Sequence, residues 1–386
     1  MRNAQWVLGL LLVAGCSSLQ IDTDRLGSMA EPEAWRQAGA TDVSVQLPLE
    51  LVWRYNGGAG FGPEAAMVSG EVLFVSNRKG EVHAIDVVTG KKLGVEEFGE
   101  SVESATATDG RWLYLASTQG RRKLFAYDME RGRTTWRLRM EPSDAGIVLH
   151  DDLLITADLF GLIRAHKQAT GDEVWSAELG TEDDPTGVKA PLRLMSDGHL
   201  IATDIDGWVY RIDAATGETQ WETEIGAPIY QAPAVTDDAL YVPTTRGTMI
   251  VLDAATGAER WQRTVPDSTI RFTTPAVASD VVVTSTTDGI VEAHDPQSGV
   301  VLWSFTSPAA IVAAPLLTQQ HVFVGSMGKQ LYVLDRDTGA LLEQHEVKGR
   351  IKTAIVAYDD SVIVLCEPQH IYRFATRTEQ EVADAR

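Results

Sequence analysis

The chain has 386 residues, 44% hydrophobic and 23% charged, which is the composition of a soluble folded protein and excludes a largely disordered one. Its 33 basic and 54 acidic residues give a net charge of −21, which repels phosphate groups and excludes nucleic acid as a partner. The two cysteines, Cys16 and Cys366, are too few for a disulfide framework.

The N-terminal residues have the pattern of a secretory signal peptide. A basic residue, Arg2, precedes an apolar run from Trp6 to Ala14, and a small residue comes before Cys16. The apolar run is too short to span a bilayer as a helix of the mature protein. We therefore predict that residues 1–15 are a signal peptide that is removed on export.

The segment Leu12–Cys16 resembles the lipobox of bacterial lipoproteins. The resemblance implies that Cys16 is lipidated and becomes the first residue of the mature chain, with enough acyl chains for stable anchoring. Ser17 and Ser18 follow without the aspartate that retains lipoproteins in the inner membrane, which implies the periplasmic side of a Gram-negative outer membrane. A plain secretory signal with an incidental cysteine is the alternative.

Residues 17–46 show no sustained hydrophobic period, apart from a weak helical pattern around Glu31–Gln37. We expect lipidated Cys16 and this segment, residues 16–46 together, to form a flexible tether. The folded domain is then predicted over residues 47–376, and residues 377–386 form a C-terminal tail.

A unit of about forty residues recurs along the folded domain. Its turn glycine is repeated at steps of 42, 39, 46, 40, 42 and 40 residues, as Gly90, Gly132, Gly171, Gly217, Gly257, Gly299 and Gly339. Four residues before each glycine the chain places Asp86, Asp128, Lys167, Asp213, Asp253, Asp295 or Asp335. A period of this length with strand-like content predicts the blades of a β-propeller.

A tryptophan follows eight residues after the aspartate position in five copies, as Trp136, Trp175, Trp221, Trp261 and Trp303. Gly94 and Glu343 replace it in the other two. Each unit contains four short strands between turns. We expect the glycine to provide a positive φ, the aspartate to cap the turn and the tryptophan to wedge between neighbouring blades. These residues are therefore interpreted as structural.

The two ends of the domain are complementary. The C-terminal segment has three strands, ending in HIYRFA at 370–375, and lacks a fourth. The segment LELVWRY at 49–55 is a strand without a partner, and its Trp53 matches the fourth strand of the repeat. Pairing the two removes exposed sheet edges. We therefore predict an all-β, eight-bladed propeller of four-stranded antiparallel blades, closed by the N-terminal strand in the C-terminal blade.

The recurring Leu-Tyr-x-Leu-Asp-x-x-Thr-Gly-x-x-x-Trp pattern resembles the PQQ-like propeller repeat over residues 49–375. A single eight-bladed domain behind a lipobox resembles the BamB family of lipoproteins, which belong to the outer-membrane β-barrel assembly machine. The resemblance implies a non-enzymatic scaffold on the periplasmic side of the outer membrane. It also implies binding to BamA or another assembly component, and contact with nascent β-barrel proteins.

An enzymatic role was tested against the residues. Quinone dehydrogenases with this repeat use an adjacent cysteine pair and calcium ligands, whereas Cys16 and Cys366 are far apart. The eight histidines show no paired metal-binding spacing, and Ser326 lacks the spacing of a nucleophile elbow. We therefore predict no catalytic residue, no metal site and no cofactor.

Two surface segments are candidates for partner binding. In the BamB family, the loop that corresponds to residues 180–189, after the strand with Trp175, contributes a Leu-x-Leu-Arg element that docks BamA. Here the alignment places Asp183, Asp184 and Thr186 at that loop, without the apolar anchors. The second candidate is the turn that carries Phe160 with Arg164 after it. Solvated turn residues are the alternative interpretation for both.

Two further functions stay open at this point. The propeller could bind a small periplasmic ligand or another envelope protein, which polar residues converging on its axis would favour. A remnant of a quinone-dependent oxidoreductase is the third interpretation. Residues Leu192–Leu194 spell Leu-Arg-Leu but lie on a predicted inner strand, which favours a core position over a docking role.

Overall fold

The structure is a computed structural model that describes residues 18–27, 39–99, 101–103, 106–118, 123–180 and 186–376. Within these ranges the chain folds into eight antiparallel sheets, each the blade of a β-propeller. This confirms the predicted all-β, eight-bladed architecture. One short 3₁₀-helix, Thr23–Arg25, precedes the blades, and among the described residues there is no helix of the length and hydrophobicity that a membrane crossing requires.

Consecutive strands of each blade pair side by side, so that the first strand lies nearest the axis and the fourth lies at the rim. Blade 1 consists of Ala66–Ser69, Val72–Ser76, Glu81–Asp86 and Lys92–Glu97. Blade 2 consists of Ala107–Thr108, Trp112–Ala116, Lys123–Asp128 and Arg133–Arg139. Blade 3 consists of Ile147–His150, Leu153–Ala157, Leu162–Lys167 and Glu173–Glu178. Blade 4 consists of Arg193–Leu194, His199–Thr203, Trp208–Asp213 and Thr219–Glu224.

The second half of the ring repeats this plan. Blade 5 consists of Ala234–Val235, Ala239–Pro243, Thr248–Asp253 and Glu259–Thr264. Blade 6 consists of Ala276–Val277, Val282–Ser285, Ile290–His294 and Val301–Thr306. Blade 7 consists of Leu316–Leu317, His321–Gly325, Gln330–Asp335 and Leu341–Glu346. Blade 8 consists of Val356–Tyr358, Ser361–Glu367, His370–Ala375 and Glu50–Asn56, with a short extra strand, Arg350–Ile351, paired to Ser361–Glu367.

The ring is closed by the N-terminal strand. Glu50–Asn56 pairs antiparallel with His370–Ala375, with Trp53 opposite Arg373 and Tyr55 opposite Ile371. The pairing confirms the predicted closure, and it covers the strand edge that the C-terminal segment would otherwise expose.

In six of the seven repeats an aspartate caps the turn between the third and fourth strands, and Lys167 takes this position in blade 3. The Oδ1 atom of Asp253 accepts the backbone N–H of Thr256 at 2.9 Å, and Asp335 accepts that of Thr338 at 2.9 Å. Asp86, Asp128, Asp213 and Asp295 accept the corresponding amide in the same way. The repeat glycine that ends the turn has a φ near +70°, as at Gly257 and Gly299, which is why a residue with a Cβ is unfavourable there.

Each repeat tryptophan joins two blades across their interface, which we call a seam. Its indole N–H donates to the carbonyl one residue after the aspartate position of the next blade. The pairs are Trp53 to Val87, Trp136 to Gln168, Trp175 to Ala214, Trp221 to Ala254, Trp261 to Pro296 and Trp303 to Arg336, all between 2.7 and 3.2 Å. The ring lies on the next blade's turn glycine, since a Cβ built on Gly257 would come within 2.8 Å of Trp221.

The first seam without a tryptophan lies between blades 1 and 2, where Gly94 takes its position. The N-terminal segment fills this seam, since a Cβ on Gly94 would lie 3.0 Å from the Cα of Leu19. The backbone N–H of Ile21 donates to Met129 O at 2.9 Å, the carbonyl that a tryptophan would otherwise use. Leu19 is fully buried. Leu19 and Ile21 therefore replace the missing side chain.

The second such seam lies between blades 7 and 8, at Glu343. The Glu343 carboxylate accepts the backbone N–H of Leu49 at 3.0 Å and lies 2.8 Å from His345 Nε2. Val45 and Leu49 are buried with the side chains of both blades. The predicted tether over residues 16–46 is therefore corrected for 18–26 and 39–46, which pack on the propeller. The rest of that segment, with Cys16, lies outside the described residues, as do residues 1–15 and 377–386.

The Asp253 carboxylate, which caps the turn of blade 5, should make the folded protein less stable in acid. Hydrogen bonds from the Arg260 guanidinium and then from Thr256 lower its pKa from 3.8 to about 2. Because the pKa in the folded state lies below that in the unfolded state, the carboxylate stabilises the fold above pH ~4, and this contribution is lost as the pH falls towards about 2. The melting temperature, measured by calorimetry, should fall in that window.

The control for this prediction is Asp253→Asn, whose amide carbonyl still accepts the hydrogen bonds of the turn. This variant should melt at a lower temperature at pH 7, where it lacks the ionic contact with Arg260, and should lose less on acidification. Equal acid-induced shifts in the two proteins would contradict the role given to the Asp253 carboxylate.

Candidate binding surfaces

A cavity opens on the axis at one end of the ring. We call this end the connection face, because it carries the loops that join the fourth strand of each blade to the first strand of the next. The cavity has a volume of about 310 Å³. Its charged and aromatic lining includes Glu64, Glu103, Asp144, Lys189, Tyr230 and Lys352.

An ion pair of a buried arginine joins blade 4 to the chain before blade 1 at the wall of this cavity. Arg193, on the first strand of blade 4, places Nη2 2.5 Å from the carboxylate of Glu64, which precedes blade 1. Its Nε donates to Pro233 O at 3.2 Å, and the residue is 4% exposed. Residues 192–194 therefore belong to the core, as their predicted inner-strand position indicates, and Arg193 ties three blades together.

The charges at the mouth of the cavity largely contact one another. Arg78 lies 3.2 Å from Glu103 and 3.3 Å from Glu367, and Lys352 lies 2.7 Å from Glu367. Burial raises the pKa of the Asp144 carboxyl, an effect that nearby Lys189 opposes. Within the described ranges, no group of three or more His, Cys, Asp or Glu side chains is arranged to hold a metal ion. The mouth is therefore polar without being a preformed metal site.

The predicted partner loop between blades 3 and 4 is only partly described. Asp183 and Asp184 lie outside the described residues. Thr186 is 5% exposed and lies under the turn of blade 3, where its carbonyl would be 3.0 Å from a Cβ on Gly161. The expectation that its side chain faces a partner is therefore corrected, because the turn covers it.

Two apolar side chains flank this loop on the connection face. Phe160 is 59% exposed at the tip of its turn, and Ile205 of the next blade is 36% exposed. Gly187 lies between them, because a Cβ there would meet both Leu159 O and Ile205 Cδ1. Arg164 contacts Asp158 at 3.2 Å, so that its guanidinium supports the turn carrying Phe160. We call Phe160 and Ile205 the flanking pair.

A second apolar surface runs around part of the rim. In three successive blades, the two residues before the tryptophan position are apolar and between 36% and 55% exposed. They are Val301 and Leu302 in blade 6, Leu341 and Leu342 in blade 7, and Leu51 and Val52 in blade 8. In blades 4 and 5 the same positions carry Thr219, Gln220, Glu259 and Arg260. We call the six apolar residues the rim patch.

Comparison with models of protein families identifies the family of this propeller. The family model described as outer membrane protein assembly factor BamB matches residues 33–160, 159–310 and 287–382. The chain belongs to this family. The BamB family assignment agrees with the resemblance that the repeat pattern carries. A comparison with curated proteins gives no match.

Solved structures support the BamB-type fold. The crystal structure of BamB from Moraxella catarrhalis has a TM-score of 0.72 at 18% identity, over 85% of this chain and 100% of that one. The computationally designed Ika8 protein has a TM-score of 0.68 at 18% identity, over 88% and 100%. The quinohemoprotein alcohol dehydrogenase from Comamonas testosteroni has a TM-score of 0.71 at 14% identity, over 93% and 80%. At these identities the likeness shows the fold alone.

The dehydrogenase neighbour raises the question of a quinone site, and the residues of this BamB-family chain do not fit one. The sequence has no adjacent cysteine pair. Cys366 is buried in blade 8, where burial raises the pKa of its thiol to about 12. Glu64 of the cavity lining is engaged by Arg193.

The flanking residue Ile205 and the rim patch are absent from the sequence predictions. Ile205 lies in the turn between the second and third strands of blade 4, as Phe160 does in blade 3, so its turn position is the signal that could have found it. The rim patch has a usable signal, because aligning the seven turns shows apolar pairs before the tryptophan position only in the last blades.

Proposed function

We propose that this protein is a non-enzymatic scaffold lipoprotein on the periplasmic side of the outer membrane, anchored through Cys16. It binds BamA or another assembly component and assists the insertion of β-barrel proteins. The observation that carries the proposal is the match of the BamB family model along nearly the whole propeller. The lipobox at Leu12–Cys16 supports the location.

BamA docks on the flanking pair in this proposal. Phe160 and Ile205 lie on either side of the loop to which the family resemblance assigns docking. A large exposed aromatic beside an aliphatic residue is the kind of anchor that dominates protein interfaces. The neighbouring Lys189, whose Nζ lies 4.7 Å from the centroid of the Tyr230 ring, extends this surface towards the axis. Asp183, Asp184 and Arg164 stay candidates for its polar margin.

The rim patch serves the second part of the function, contact with nascent β-strands. The fourth strands of blades 6, 7 and 8 are the edges of their sheets. An edge strand offers unpaired backbone groups to an extended chain, and apolar side chains next to it add affinity. Three adjacent edges with Leu and Val at the same positions therefore suit incoming strands with alternating apolar residues.

The proposal predicts the outcome of co-purification from detergent-solubilised outer membranes. Tagged wild-type protein should recover BamA, and Phe160→Ser with Ile205→Ser should lower recovery at least about tenfold, because interface anchors are each worth ~2 kcal/mol. The matched control replaces two equally exposed apolar residues of the rim patch, as Leu302→Ser with Leu342→Ser. It should keep BamA and lower the amount of assembled barrel proteins.

Failure of the wild-type protein to recover BamA from an otherwise intact complex would sink the proposed function. Loss of BamA in the rim variant instead of the flanking-pair variant would move the docking surface to the rim and leave the function standing.

The axial cavity is the one observation that favours a small-ligand function. Its lining brings together Glu103, Asp144 and Lys189 from different blades. Arg78 and Lys352 contact acidic neighbours, and Arg193 pairs with Glu64 of the lining, so much of the charge around the cavity is already engaged. These contacts leave little charge to bind a ligand, so the scaffold is the better-supported function.

A further inference from the structure

The N-terminal segment enters the propeller at its rim. Ser18 and Leu19 lie in the seam between blades 1 and 2, where the hydroxyl of Ser18 would be 3.3 Å from a Cβ on Gly132. From there the chain runs inwards, and Arg25 contacts Glu71 and Asp86 of blade 1. Cys16 precedes Ser18 by two residues, which span at most about 7 Å. The lipid of the proposed function is therefore attached to the chain two residues before this seam.

The same seam has a basic edge. Arg133, Arg137 and Arg139 lie on the fourth strand of blade 2 and are all exposed. Arg137 and Arg139 alternate with Trp136 and Leu138, which pack towards blade 3, so these two arginines point to the side of the strand that faces blade 1 and the N-terminal segment. Arg133 precedes the β-bulge of this strand and pairs with Asp128, so it lies at the start of the same exposed strand, on its other face. Within the described part of the chain, no ion pair engages these three guanidinium groups.

This edge is exceptional in the ring. Arg137 and Arg139 stand one and three residues after the tryptophan position. The residues at these two positions in blades 1 and 3–8 are Val95 and Glu97, Ser176 and Glu178, Glu222 and Glu224, Gln262 and Thr264, Ser304 and Thr306, Gln344 and Glu346, and Arg54 and Asn56. Blade 2 alone carries a cation at both, in a chain whose net charge is −21. Its basic residues therefore form a local field opposite in sign to the rest of the protein.

We propose that the edge of blades 1 and 2, with Arg133, Arg137 and Arg139, is a docking surface for anionic phospholipid headgroups. The docked propeller lies with this edge against the membrane and its axis along the membrane plane. The position of the lipid comes from the proposed function, whereas the basic edge stands on the structure. In this orientation the connection face, which carries the flanking pair, stands upright on the membrane, and blades 6 and 7 of the rim patch lie on the far side of the ring.

The electrostatics support this orientation. Each basic side chain near an anionic bilayer strengthens binding by about fivefold. The free-energy contributions of several such side chains add when all lie within a Debye length of the bilayer. Three arginines on one strand lie within that length of the same surface. The acidic remainder of the protein is repelled by the same lipids, which turns the molecule so that only the basic edge approaches them.

The test uses the mature chain, residues 16–386, with Cys16→Ser, so that no acyl chain contributes. It is mixed with vesicles of phosphatidylethanolamine containing about a quarter phosphatidylglycerol, at about 50 mM salt, and sedimented. We expect binding that weakens at least tenfold at about 300 mM salt and is absent on purely zwitterionic vesicles. Arg133→Glu/Arg137→Glu/Arg139→Glu should weaken it at least about tenfold.

The matched control makes the same change in net charge on the connection face, with Arg246→Glu/Arg271→Glu/Lys348→Glu. It should bind as the unsubstituted chain does. Circular dichroism checks that both variants fold, and an Arg→Gln triple variant replaces the first if it does not. Equal losses in both charge variants, salt-independent binding, or no binding of the unsubstituted chain to anionic vesicles would each overturn the docking surface. None of these results depends on BamA, so the proposed function is tested separately.

Discussion

Replacing Gly257 with alanine is expected to lower the free energy of unfolding by about 3 kcal/mol. Its φ of +70° disfavours any side chain, and the new Cβ would lie 2.8 Å from the ring of Trp221 and 2.5 Å from Thr223 Oγ1. Because the ring is held by its hydrogen bond to Ala254 O at 3.2 Å, it cannot withdraw without opening the seam between blades 4 and 5. The strain and the clash therefore add.

Gly226→Ala is the matched control, since Gly226 has a φ of +72° but no heavy atom within 4 Å of a built Cβ. Only the backbone strain remains there, which costs about 1 kcal/mol. Trp221→Ala alone should cost about 3 kcal/mol, and in that background the effect of Gly257→Ala should shrink towards that of the control, with the contact to Thr223 Oγ1 as the remainder. Urea unfolding measures the free energy of the unsubstituted protein and of the four variants. Equal effects of the two glycine substitutions would show that the ring does not press on the turn.

The strand pattern, the blade count and the ring closure could be predicted because each blade repeats one local pattern. A turn aspartate, a positive-φ glycine and a rim tryptophan recur at the same spacing, and short alternating strands lie between them. The C-terminal blade lacks a fourth strand and the strand around Trp53 lacks a partner. Pairing these two strands completes the blade, and the structure contains this pairing. Because the turn and strand residues of the repeat favour the same structure that the whole ring requires, the fold can be predicted from the sequence.

The packing of the N-terminal segment could not be predicted in the same way. Leu19 and Ile21 alternate with polar residues over too few positions to distinguish a strand-like segment from a tether. The sequence did carry a hint, because Gly94 and Glu343 break the tryptophan pattern at two seams. A missing wedge between blades leaves a void that some other part of the chain must fill. Each exception therefore marks a place where the N-terminal segment packs.

The candidate surfaces were less accessible to sequence reasoning. The turn position of Phe160 predicts its exposure. The alignment with the docking loop of the BamB family predicts an exposed Thr186 as well, but the neighbouring turn covers it. The Arg193 to Glu64 pair joins residues 129 positions apart. Such a contact depends on the curvature of the ring, which the repeat length alone does not specify.

Arg193→Met is the second substitution for which we expect a large effect, a loss of about 3 kcal/mol in the free energy of unfolding. The Glu64 carboxylate would lose its 2.5 Å partner, and Pro233 O would lose a donor, in a site where Arg193 is almost fully buried. Removing one member of a buried ion pair is costly because the other charge stays behind without compensation.

Adding Glu64→Leu to Arg193→Met should recover part of that loss, because the carboxylate that lost its contact with Arg193 is gone as well, while the Pro233 carbonyl still lacks its donor. A double-mutant cycle of urea midpoints measures the coupling, and raising the salt concentration should change it little, since a buried pair is poorly screened. Independent, additive effects would show that the two side chains do not act as a pair. If BamA recovery from membranes is unchanged in the double variant, the Arg193–Glu64 pair has a structural role and does not belong to the surface that binds BamA.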